Sequence, residues 1–119
     1  MIRKTYKING AEYWSIAFMG KEKDKNLIKN LKKRSIDQNI ENLIILVDNV
    51  DINTMENGPS IASSIKKERD KSIDFHKEWI DIASEIGCHS IRVNLRSDEL
   101  DTNKILDNSS ESISKLIDH

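Results

Sequence analysis

The run Leu-Ile-Ile-Leu-Val at Leu43–Val47 is unbroken in its apolarity and too short to be a helix, so it reads as a strand. No polar residue alternates within it, which means that both of its faces are covered. That condition is met by a parallel sheet under helices rather than by a hairpin with one wet side. Asp48 and Asn49 close the run, and Asp51 follows after Val50. A chain of 119 residues built around such a strand is a single domain over 1–119. At this size it buries roughly 65% of its unfolded surface, enough for a modest core.

Two further strands are expected. In Ser90–Leu95 the residues Ile91, Val93 and Leu95 alternate with Arg92 and Asn94, so one side of that strand is polar. Around Gly10–Phe18, aromatic and β-branched residues are enriched, although Gly10 and Glu12 weaken the pattern. Helical patterns lie between them. Leu27, Ile28 and Leu31 make a stripe backed by lysines, and Asp24 stands early enough to complement the helix dipole. From about Asp70 to Ile86, the residues Ile73, His76, Trp79, Ile80, Ala83 and Ile86 recur at three and four, with Gly87 placed to end the helix in a left-handed cap. A last short helix is expected after Ser109 or Ser110, with Ile113, Leu116 and Ile117 as its stripe. The order strand, helix, strand, helix, strand, helix predicts an α/β fold of three parallel strands alternating with helices, joined by right-handed crossovers.

Composition narrows the function classes. Charged residues make up 33% of the chain but cancel to a net charge of −1, so no global field draws it to nucleic acid or to an anionic membrane. The lysines from Lys21 to Lys33 are interleaved with Glu22 and Asp24 and lack aromatic partners, as expected of a solvated helix face. No window approaches the roughly 20 apolar residues of a membrane span. The single Cys88 cannot pair internally, and the amino terminus lacks an uninterrupted apolar run, so a cytoplasmic location is expected. No glycine-rich phosphate loop, HExxH or paired-cysteine spacing is present.

Candidate site residues therefore come from position, as polar residues at the carboxyl ends of strands, where α/β folds bind ligands. Asp48 and Asn49 follow the first secure strand, while Asn94 and Arg96 come at the end of the next. Carboxylate, amide and guanidinium together suit a hydroxyl-rich or phosphorylated ligand, because each makes directional hydrogen bonds to oxygen. Asp48 and Asn49 also suit a plain turn, whereas Asn94 is harder to dismiss because asparagine is depleted inside strands. His76 lies on the apolar stripe and is expected to be packed and hydrogen-bonded. Cys88 and His89 precede a strand at its amino end, and Trp14 and Trp79 are expected in the core.

The segments GAEYWSIAF, LIILVDN, Arg69 ahead of HKEWIDIASEIG, and above all CHSIRVN resemble the sugar phosphate isomerase/epimerase group of the xylose-isomerase-like TIM barrels. The resemblance runs from about Ile8 to Asn94 and is densest from Arg69 onward. It implies a partial (β/α) barrel, roughly the second to fourth strands, of a fold that typically needs about 250 residues. It also implies that Asp48, Asn49 and Asn94 lie on a sugar-binding rim, with Arg69 in the loop or helix start behind it. The family's divalent metal, Mn or Mg, and its proton-moving glutamates would lie on the fifth to eighth strands, so no cofactor and no catalytic residue is expected within these residues. The implied activity is aldose-ketose isomerisation or ketose epimerisation, absent from these residues alone.

A barrel has no edge strands, and three of its strands have two. Self-association or a complementing chain is therefore the expected partner, besides a sugar or sugar phosphate. The competing reading is a small non-catalytic α/β interaction module that self-associates.

Overall fold

The computed structural model describes residues 6–51 and 53–119. Among them lie three strands, β1 (Gly10–Trp14), β2 (Glu41–Leu46) and β3 (Ser90–Arg92), and three helices, α1 (Lys25–Asp37), α2 (Lys66–Ile86) and α3 (Thr102–Ile117), in the order β1-α1-β2-α2-β3-α3. The strands form one sheet in the sequential order β1-β2-β3, and both pairings are parallel. The fold is thus α/β, as the patterning predicts. No helix of the described residues is long and apolar enough to cross a membrane.

Two compact units make up the chain, one from the residues up to Val47 with Trp79–Arg92, the other from Asp48–Glu78 with Val93–His119. The first holds the whole sheet. β1 pairs with β2 through Ala11↔Asn42 and Glu12↔Ile44, so Leu43 is an extra residue on β2, a bulge. The bulge resets the alternation, which is why Asn42 and Ile45, three apart, are both buried. Gly10 makes room for the bulged side chain, since a Cβ there would sit 2.7 Å from Leu43 Cδ1. Asp24 caps α1 by accepting from the backbone N–H groups of Asn26 and Leu27. Ile28 is the buried residue of its apolar stripe. The core of this unit is Ile28, Ile45, Val47, Trp79, Ile82, Ala83 and Ile86. Gly87, at φ +88°, ends α2, and the Ala83 carbonyl accepts from the N–H groups of both Gly87 and Cys88.

In the second unit, α3 packs a face that shares Leu116 with the expected stripe but is otherwise built from serines. Its cap is Asp101, whose side chain accepts from Asn103 N–H, so the helix begins about two turns before Ser109. The covered face carries Ser109, Ser112 and Leu116, while Ile117 is 78% exposed. The serines are small enough for close approach, and their hydroxyls are satisfied within the helix: Ser109 donates to the Ile105 carbonyl and Ser112 shares its hydroxyl between the Asn108 and Ile61 carbonyls. Apolar periodicity is blind to such a face.

Four other expectations are corrected. β3 stops at Arg92 rather than Leu95, β1 stops at Trp14 and gives way to a tight turn at Ser15–Phe18, and α2 starts at Lys66. Trp14, expected in the core, is about half exposed.

Candidate functional site

All five sequence-derived candidates fall in the second unit, the one from Asp48–Glu78 with Val93–His119. Asp48 stands two residues past β2 and Asn94 two residues past β3, and the structure joins them: the Asn94 amide donates to the Asp48 carboxylate. Both side chains stay partly accessible. His76, midway along α2, feels the charge of the same carboxylate. Its Nδ1–H donates to the Ser72 carbonyl at 2.7 Å and it is only 3% exposed. Burial holds its pKa below the ordinary 6.5, with the Ser72 bond and the Asp48 charge pulling the other way.

The consequence for pH is definite in sign. The unfolded chain takes up the His76 proton before the folded one does, so the contribution of the neutral ring is complete above pH 6.5 and is lost as the pH falls through the depressed folded value. Denaturant unfolding at about pH 7.5 and about pH 5.5 is expected to show lower stability in acid, with part of that loss absent in His76→Gln. An unchanged pH dependence in the variant would assign the acid sensitivity elsewhere.

Asn49 and Arg96 form a second pair. Arg96 Nη2 donates to the Asn49 carbonyl at 3.2 Å, and Gly58 N–H donates to the same oxygen at 2.8 Å. The Asn49 amide donates in turn to the Pro59 carbonyl at 2.9 Å, so Asn49 fastens the returning limb of the long loop. Val50 and Asn57 bridge in antiparallel fashion just beyond it, and Asp51 accepts from the Asn53 and Thr54 N–H groups to close the turn. A Cβ on Gly58 would lie 2.5 Å from Asn49 Oδ1. Because the amide is held by Pro59, it cannot swing away freely. Gly58→Ala is expected to cost about 1–2 kcal/mol in denaturant unfolding and to speed amide exchange across 49–59. Exchange rates equal to those of the parent chain would show that the amide yields without cost.

Arg69 sits apart from these pairs. It is 8% exposed, its Nη1 donates to the Ser63 and Ser64 carbonyls, and its Nη2 lies 3.5 Å from Glu111 Oε2. The guanidinium thereby ties the end of the long loop to α3. Around it runs a surface network in which Lys66 meets Asp70 and Lys115 meets both Asp70 and Glu111. The lysines hold both carboxyls below their ordinary range, chiefly through the Lys66 bond to Asp70 and the Lys115 bond to Glu111.

Next to Arg96 an open concavity of about 360 Å³ is lined by residues that the strand-end rule did not single out, among them Ser60, Glu68 and Asp98. Their signal in the sequence was the serine-rich approach to α2 with an acid in its first turn, a pattern more often read as helix capping. Capping is indeed part of it: Ser63 donates to Glu68 at 2.8 Å, and Asp98 accepts from Ser64 N–H and Oγ–H.

Outside this unit, Cys88 is half-buried with its thiol pKa raised by burial, and His89 is exposed with its Nδ1 3.0 Å from Ser90 Oγ. Among the described residues no three His, Cys, Asp or Glu side chains gather into a ligand set, and the strand-end carboxylate Asp48 is taken up by the Asn94 amide. No family model matches this chain, and a search of curated proteins returns no match.

Proposed function

We propose that this chain is part of a sugar phosphate isomerase/epimerase-type (β/α) barrel and that its residues bind rather than transform the ligand. The observation that carries this reading is the Asn94–Asp48 bond, which joins a carboxylate and an amide that follow successive parallel strands at the same two-residue offset. Carboxyl ends of parallel strands are where such folds receive ligands. The sequential β1-β2-β3 order supports a barrel and speaks against orders that double back on the first strand. A sugar hydroxyl offers both a donor and an acceptor, so it can bridge the Asp48 carboxylate and the Asn94 amide.

The proton-moving groups and the divalent metal of the activity belong, in this reading, to strands beyond β3. The test is complementation. A second polypeptide carrying the later strands of such a barrel, mixed with this chain and Mn²⁺, is expected to gain ketose epimerisation, and Asp48→Asn in this chain is expected to weaken substrate binding about tenfold. Absence of activity in the mixture, together with no sugar-dependent shift at Asp48 or Asn94 in NMR, would sink it.

A second reading, a self-associating α/β interaction module, has its own support in side chains left in water: Leu100 is 97% exposed, Ile117 78% and Leu106 59%. Light scattering after size exclusion separates the two, since a concentration-dependent dimer that ignores sugars favours the module.

A further inference from the structure

Arg96 and Glu68 line the same open concavity of about 360 Å³ yet do not pair with each other. Among the described residues Arg96 bonds only the Asn49 carbonyl, through Nη2, leaving most of its five N–H donors unused. Among the described residues the Glu68 carboxylate accepts one bond, from Ser63 Oγ to its Oε2. Two opposite charges held in one hollow, each anchored through one atom only, make a site for a ligand that carries both charges itself.

A simple anion fits poorly. The first turn of α2 already has its compensating charges in Glu68 and in Asp98, whose carboxylate takes the Ser64 N–H and hydroxyl, and both acids line the hollow. Adding phosphate would set it against two carboxylates for one guanidinium. A simple cation would meet Arg96. We infer that the hollow binds a free α-amino acid, its carboxylate on the Arg96 guanidinium and its ammonium on the Glu68 carboxylate. The apolar part of the lining is Ile65, about half exposed, so the side chain that suits it is small and aliphatic. Such a site does not depend on the sugar reading above.

The probe is L-valine, titrated into the ¹⁵N-labelled 119-residue chain, with two blocked analogues, L-valinamide and N-acetyl-L-valine. Saturable shifts are expected for the amides around Glu68 and Arg96, and each blocked analogue is expected to bind at least about tenfold more weakly, since each loses one charge-assisted contact. Arg96→Gln is expected to abolish the preference for valine over valinamide, and Glu68→Gln the preference for valine over N-acetylvaline. The analogues test the assignment on the unaltered protein whether or not the variants fold. Analogues that bind as well as valine, no saturable shift with valine at all, or a sugar phosphate that saturates the same amides and is not displaced by valine would each overturn the proposal.

Discussion

Trp79→Ala is expected to lower the unfolding free energy by about 3–5 kcal/mol, the usual cost of emptying a large aromatic site in a core. Trp79 is 0% exposed, and the Phe18 ring meets it edge-on with centroids 6.2 Å apart. Phe18 meets Tyr13 in the same manner at 6.1 Å, so three rings stand in succession in the unit that holds the sheet. Removing Trp79 therefore takes away both a transfer contribution and the surface against which Phe18 is oriented. The tight turn Ser15–Phe18 is what brings Phe18 there, directly after β1. Urea unfolding followed by far-ultraviolet circular dichroism measures the change. Trp79→Phe, which keeps an aromatic ring, is expected to recover more than half of it. A loss below about 1 kcal/mol for the alanine variant would mean that the site collapses around the vacancy.

Asn42→Leu is expected to cost about 2–4 kcal/mol although it exchanges a polar buried residue for an apolar one of similar size. Asn42 is 6% exposed, and its amide group has three partners: its Nδ2 donates to the Ile86 carbonyl at 2.7 Å and to Ser35 Oγ at 2.9 Å, and its Oδ1 accepts from the Tyr13 hydroxyl at 2.7 Å. One side chain thus joins β1, β2, α1 and the last turn of α2. Leucine would leave the buried Ile86 carbonyl and the part-buried Tyr13 hydroxyl without these bonds, and unmet polar groups cost more than the added apolar area returns. Burial already raises the Tyr13 pKa, with the Cys88 charge a smaller cause, as expected of a phenol in a partly dry setting. A double-mutant cycle with Tyr13→Phe is expected to show coupling of at least about 0.5 kcal/mol, since the two variants share one bond. Additive effects would place the cost on the Ile86 carbonyl and the Ser35 hydroxyl.

Asn42 also shows where reading the chain by pattern stops. The apolar run that announces β2 starts at Leu43, so the strand reads as though it began there, and the asparagine just before it looks like loop. In the structure the strand begins at Glu41, and the bulge at Leu43 turns Asn42 onto the covered face. α3 makes the same point with serines, whose burial depends on partners such as the Ile61 carbonyl, far away in sequence. Arg69 was legible as a notable arginine, but not as the tie between the Ser63 and Ser64 carbonyls and Glu111. Asp48, Asn49, Asn94 and Arg96 were legible as polar residues at two strand ends because strand ends can be counted along a chain, but the structure alone set Asn94 on Asp48 and Arg96 on Asn49.

What the sequence determined by itself is the succession of three strands and three helices and the parallel sheet, because apolar runs, helical stripes and a glycine stop are local and additive signals. Tertiary structure alone decided which polar side chains are buried and whom they meet. A hydrogen bond depends on the position of a second atom, here tens of residues away for Asn42 and Ser112, and no periodicity within one segment carries that information.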